Sequence, residues 1–344
     1  MANQPAPVNW MIQPRQRTAG YSLFASYGKH YSRTVHQVVP GGYILDIGAD
    51  YEKQRRANPA DNNIIQSPEY LRYYLPLRTR FGPSIDDQLV NDLDGSFRQE
   101  CAKELHKGRS QGRTDDLVVV KRVLARHPVF RNLPNDAAHG FSNDLYASLL
   151  CTSSLNLNDI ELRAALNAGT VDAPANQLFA ALFQNYTFPG ANAHPLTGVF
   201  KSDLFVDVLL GIFLGPRAAQ HLTPGSGGQR SKARKHDMTT LTKPSIAYAA
   251  MLLRFCLHQN ESWYTVESNA DTRYNYFILY TEILALLEEP TFLPQVNELL
   301  AYLNGIVFPH HHNLPANYPA ANGGPSAVQL AMAHVNALAG AGHN

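Results

Sequence analysis

Cysteine, tryptophan and long apolar runs are scarce in this 344-residue chain, which has three cysteines and two tryptophans. Cys101, Cys151 and Cys256 are odd in number and far apart. They make neither a disulfide framework nor a zinc knuckle, and they suit a reducing compartment. The most apolar stretch, Asp203 to Leu214, falls well short of the ~20 residues needed to cross a bilayer. Met1 to Arg17 mixes prolines, asparagine and arginine without the apolar centre of a secretory signal, so the expected location is intracellular, in cytoplasm or nucleus, with no membrane partner. After Glu298 there is no Lys, Arg, Asp or Glu at all.

Enzyme signatures are equally thin. Pro224 to Lys232 is rich in glycine but lacks the Gly-Lys-Ser/Thr ending of a phosphate loop, and Gly225-Ser226-Gly227 has the wrong spacing for a nucleophile elbow. His310, His311 and His312 are consecutive, so their side chains do not converge on one ion, and no HExxH or paired-cysteine spacing accompanies them. Tyr43 to Asp50 resembles the first motif of S-adenosylmethionine-dependent methyltransferases, a strand ending in an acid and a glycine turn. It has one glycine, Gly48, where close approach to a cofactor requires several. The sequence therefore points to a non-enzymatic protein without a cofactor, and a degenerate methyltransferase is the weakest of three readings.

What is present is apolar helical pattern. Apolar residues make up 44% of the chain, ample for a core. Ser202 caps a helix that is apolar on every side from Leu204 to Leu214 and ends at Gly215-Pro216, so it should be central. Asp207 inside that run reads as a helix-edge carboxylate reaching solvent. Thr242 caps a second helix, with Pro244 in its first turn. A third, from Asn269 to Glu289, spaces Tyr276, Phe277, Tyr280, Ile283, Leu284 and Leu287 along one face. Further helices are expected at Ile85–Lys107, Asp115–Arg126 capped by Thr114, Asn143–Cys151, Ile160–Ala168 capped by Asn158, and Ala175–Tyr186. Asp86-Asp87 and Asp115-Asp116 suit the dipole of helix starts.

The fold class is mainly α, an irregular multi-helix bundle with a mixed N-terminal segment in which short strands are expected. Its divisions are a flexible arm (1–20), a basic N-terminal region (21–130), a helical core (131–308), and an uncharged linker with a helix from Ser326 to Leu338 (309–344).

The runs Leu182 to Pro189 and Gly198 to Leu204, followed by Lys243 to Tyr248 and spaced residues from Tyr274 to Leu287, resemble a helical family of mushroom-forming fungi whose function is unknown. The resemblance covers about residues 176–308. It implies a helical fold and a fungal, intracellular origin, and brings no activity with it.

Net charge is +1, yet unevenly placed. Residues 1–130 hold 18 Lys and Arg against 13 Asp and Glu, whereas residues 237–344 hold 3 against 8. Two basic clusters stand out. Arg230, Lys232, Arg234 and Lys235 lie within seven residues, as in mobile loops that bind phosphate backbones. Arg72, Arg78 and Arg80 interleave with Tyr73 and Tyr74, preceded by Tyr27, Lys29, His30, Tyr31 and Arg33. Aromatic faces that stack on bases beside arginines that meet phosphates are what single-stranded nucleic acid requires. The leading reading is an intracellular interaction protein with single-stranded nucleic acid as partner. A self-assembling nucleoprotein or coat-like homo-oligomer, exchanging its terminal segments, is the alternative.

Overall fold

The computed structural model describes residues 17–59, 67–134, 137–190, 193–194, 196–220, 231–258, 274–309 and 311. Its helices are α1 (Arg17–Thr34), α2 (Gly41–Ala57), α3 (Leu75–Phe81), α4 (Ser84–Val90), α5 (Ser96–Leu124), α6 (Asp144–Leu150), α7 (Ile160–Ala168), α8 (Asp203–Leu214), α9 (Lys232–Lys235), α10 (Lys243–Leu257), α11 (Tyr276–Glu288) and α12 (Leu293–Val307). The protein is mainly α. Among the described residues there is no strand, only isolated backbone bridges at Thr152–Phe179 and Phe183–Val199.

Two apolar cores meet along α5. The first gathers Phe24, Tyr31, Ile44, Leu45, Tyr74, Leu77 and Leu105, from α1 to the first half of α5. The second runs from Val120 to Phe308 around α8 and α10. Both of those helices are apolar on every side, and from Ser245 to Leu257 every residue of α10 is buried. Their starts are local chemistry. Ser202 Oγ accepts from the N–H of Phe205 (3.0 Å) and donates to the carbonyl of Ala181 (2.5 Å). Thr242 and Ser245 form a reciprocal capping box.

Several expectations are corrected. Tyr43 to Asp50 is not a strand and turn but the middle of α2, where Tyr74 packs over Gly48. Asp46 there pairs with Arg98 at 3.1 Å, so the backbone on which the methyltransferase likeness rested is not formed by this segment. The helix expected over Ile85–Lys107 is two helices, broken where Gly95 takes φ 73° and Asp92 receives the N–H groups of Phe97 and Arg98. The break expected before Asp115 is absent. Gly108 and Gly112 lie against α1 rather than ending a helix, and Thr114 Oγ1 bonds back to Ser110. Asp159, not Asn158, caps α7, and Asn275 caps α11, six residues beyond the expected Asn269.

Ala175–Tyr186 is not an α-helix. It is an extended run with short tight turns, because Ala180 N–H bonds Cys151 O, Gln184 N–H bonds Gly198 O, and Asn185 and Tyr186 take φ of 56° and 57°. The 1–16 part of the expected arm and the Ser326–Leu338 helix lie outside the described residues, and residues 17–20 already belong to α1.

Candidate nucleic-acid interface

The first core joins the second through a polar seam. Thr242 Oγ1 donates to Thr34 O at 2.7 Å, the Gln37 N–H donates to the Tyr280 hydroxyl at 3.1 Å, and Arg72 Nη2 meets Glu288 Oε1 at 2.6 Å. A cleft of about 360 Å³ opens here between Arg72, Pro76, Thr34, Thr242, Lys243 and Glu288. One turn further along α1 and α3, the same walls carry His30 and Arg80.

Placed on this frame, the basic and aromatic residues singled out from the sequence divide into two groups. Tyr74 is fully buried and donates its hydroxyl hydrogen to Asp86 at 2.6 Å, so its ring is closed to stacking. Arg78 is held by the same Asp86, also at 2.6 Å. Tyr73 is half-buried beneath Arg72 and edge-on to His36. Lys232, expected on a mobile loop, is instead docked on the wholly buried Asp116. Burial lowers its pKa, and Asp116 partly offsets that. Arg80, Arg234 and Lys235 are exposed and make no ion pair among the described residues. Arg230 lies outside the described residues.

Two histidines, one from each basic cluster, tie these cations together. The rings of His30 on α1 and His236, just after α9, stack with centroids 4.4 Å apart. Burial lowers the His30 pKa to about 3, helped by the charges of His236, Arg33 and Arg80. Burial also lowers His236 to about 4, with Arg33, Lys235 and Arg80 adding to the shift and Asp237 opposing it. Arg80 and Lys235 therefore act on one ring from segments far apart in the sequence. Both histidines are neutral at pH 7. Burial is the main cause in both, and the exposed cations that add to it, Arg80 and Lys235, set up a positive field that is available to an anion at the surface. No local sequence signal marks His30 and His236 as partners, because they meet only through tertiary packing.

A second polar cluster lies at the start of α8. His127 Nδ1 accepts the Val129 N–H at 3.2 Å, which puts the ring proton on Nε2, 3.7 Å from Asp203 and 3.8 Å from Asp207. The Tyr186 hydroxyl donates to Asp203. Asp207 is not the solvent-reaching carboxylate expected from sequence, since its side chain is only 13% exposed. Burial, and then the charge of Asp203, pushes its pKa up to about 8. Among the described residues no group of three or more His, Cys, Asp or Glu side chains has the arrangement of a metal site. No helix among them is long and apolar enough to cross a membrane.

A family model described as a family of unknown function (DUF6698) matches residues 107–308. The match takes in α8, α9 and α10 and reaches back into the middle of α5. No curated protein and no solved structure matches the chain.

Proposed function

The chain belongs to this family of unknown function, and from that premise we propose that it is a non-enzymatic interaction protein that binds single-stranded nucleic acid along the seam between α1, α3 and α9. Arg80, Arg234 and Lys235 are the phosphate contacts, and Arg72 and Lys243 flank the cleft beside them. A place inside the cell belongs to the same reading and is supported by three free cysteines. An origin in a mushroom-forming fungus belongs to it as well, supported by the motifs between Leu182 and Leu287.

The observation that carries the reading is the His30–His236 stack. Through it, two basic segments far apart in sequence place Arg80 and Lys235 around one neutral ring pair. Cations without carboxylate partners bind a phosphate backbone through counterion release, without sequence preference. The cations that already hold Asp86, Asp116 and Glu288 are engaged in folding and contribute less.

The test is fluorescence anisotropy of a labelled oligouridylate, titrated with protein between about 50 and 200 mM salt. The wild-type protein should bind with an affinity that falls steeply with salt. Replacing Arg80, Arg234 and Lys235 together by alanine should flatten the slope of log K against log salt by about 2, from roughly 0.7 per lost phosphate contact. Lys103→Ala, which removes an exposed cation paired with Glu100, is the control and should leave the slope unchanged. No binding at low salt, or an unchanged slope in the triple variant, rejects the proposal.

A further inference from the structure

Arg254 is the largest fully buried side chain of the protein's described residues and stands on α10, away from the basic seam. Its Nη1 donates to the carbonyl of Leu150. Its Nε and Nη2 have no hydrogen-bond partner among the described residues. Three aromatic rings surround the guanidinium, with their centroids 4.5 Å (Tyr274), 5.3 Å (Phe179) and 6.0 Å (Phe141) from Cζ. Ring faces attract a cation, but they do not satisfy in-plane N–H donors. The Tyr274 hydroxyl is likewise buried without a hydrogen-bond partner among the described residues.

Nε and Nη2 form one edge of the guanidinium, the edge that grips a carboxylate with two parallel hydrogen bonds. The same protein shows that grip elsewhere. Arg55 holds Glu52 through Nε at 2.8 Å and Nη2 at 2.5 Å. At Arg254 the edge is presented, buried and, among the described residues, empty of acceptors, and leaving such a charge unpaired is strongly unfavourable. A single positive charge in apolar surroundings matches a monoanion, since a phosphate dianion would leave surplus buried charge. The charge of Arg254 also acts on the carboxyl of Asp172, which is exposed at the surface.

We propose that Arg254 anchors a binding site for a small organic monocarboxylate, received on its Nε and Nη2 edge within the ring of Phe141, Phe179 and Tyr274. The fork geometry makes arginine irreplaceable there. Lysine keeps the charge and loses the paired hydrogen bonds.

Calorimetric titration of the full chain with benzoate, with inorganic phosphate in parallel, tests this. Benzoate should bind saturably and phosphate should not. Arg254→Lys should weaken benzoate by roughly tenfold or more, whereas Asp172→Asn should leave it unchanged or tighten it by removing a competing carboxylate. Because Arg254→Lys disturbs a buried site, the Nε–H resonance of Arg254 in the wild-type protein provides a second reading and should shift as benzoate saturates. An unmoved resonance overturns the proposal, as does phosphate binding as well as benzoate. It is also overturned if a double-mutant cycle shows strong coupling of Arg254 to Asp172, or to any of Glu261, Glu267 and Asp271, with no benzoate binding. The edge would then be filled by the chain's own carboxylate.

Discussion

The Nε of Arg33 lies 2.6 Å from Oδ2 of Asp116, with both side chains shut away from solvent. The same oxygen accepts the Tyr248 hydroxyl hydrogen at 2.8 Å, and the other oxygen takes Lys232. One carboxylate thus joins α1, α5, α9 and α10. Burial opposes the Arg33 charge, but Asp116 and Tyr248 outweigh it and hold its pKa above the ordinary value.

Breaking a buried ion pair from one side strands the other charge. Asp116→Asn is expected to cost about 3–5 kcal/mol, read as a lower urea midpoint with an unchanged slope. Lys232→Met should cost less, because Arg33 and Tyr248 still satisfy Asp116, yet it should expose the 231–236 segment to proteolysis. Equal stability of Asp116→Asn and wild type would show that the carboxylate is not the joint described.

Asp207 gives stability an unusual dependence on pH. Its ionisation is resisted in the folded protein up to about 8, against an ordinary value of 3.8. The native state therefore holds a proton that the unfolded chain has released, and stability falls as pH rises from about 4 towards 8. Asp207→Asn removes this loss. Its melting temperature should exceed that of wild type by a few degrees at pH 9 and not at pH 4, measured by circular dichroism. Parallel curves for the two proteins across that range would refute the assignment.

His30 and His236 act in the opposite direction. Their folded pKa values, about 3 and 4, lie below the ordinary 6.5. The unfolded chain binds protons first, so their contribution is complete above pH 6.5 and is lost as pH falls towards 4. His236→Asn should reduce the acid-side slope of unfolding free energy by up to about 1.4 kcal/mol per pH unit, the share of one proton. Measured in the Asp207→Asn background, this slope is free of the opposing carboxylate. An unaltered slope would mean that His236 is solvated rather than stacked.

What the sequence made legible was what neighbouring residues decide. Ser202 and Thr242 were readable as caps because each satisfies an N–H three residues on. The centrality of α8 and α10 was readable because apolar side chains surround both helices. Residues whose roles depend on distant partners were not. Asp116 looked like a helix-start acid and Lys232 like a loop cation, since nothing local reveals that they meet across 116 residues. Asn185 and Tyr186 sit in a segment with helical composition, but the backbone of Gly198 claims the Gln184 N–H and the chain turns left-handed instead. Of the expected nucleic-acid contacts, composition identified the charges. Only packing separates Arg80 and Lys235, which face outward, from Arg78, which is committed to Asp86.

Gly108 and Gly112 fall between the helix expected to end at Lys107 and the one expected to begin at Asp115, and the close approach of α1 to α5 there supplies the sharpest test of how these two helices pack. A Cβ on Gly108 would stand 2.0 Å from the carbonyl oxygen of Ala25, and one on Gly28 would stand 2.4 Å from that of Leu105. Both obstacles are backbone, so no rotamer change relieves them. Alanine is the better helix former by about 1 kcal/mol, which favours the substitution if the position is open. Gly42 in α2 is such a position, with nothing within 4 Å of an added Cβ. Gly42→Ala should therefore be neutral or slightly stabilising, whereas Gly108→Ala should lose about 1–3 kcal/mol or more as α1 is levered away from α5. The difference in urea midpoint between these chemically identical changes isolates the helix crossing. If Gly108→Ala proves as stable as Gly42→Ala, then α1 does not lie against α5 at this distance, and the alignment that presents Arg33 to Asp116 and His30 to His236 fails with it.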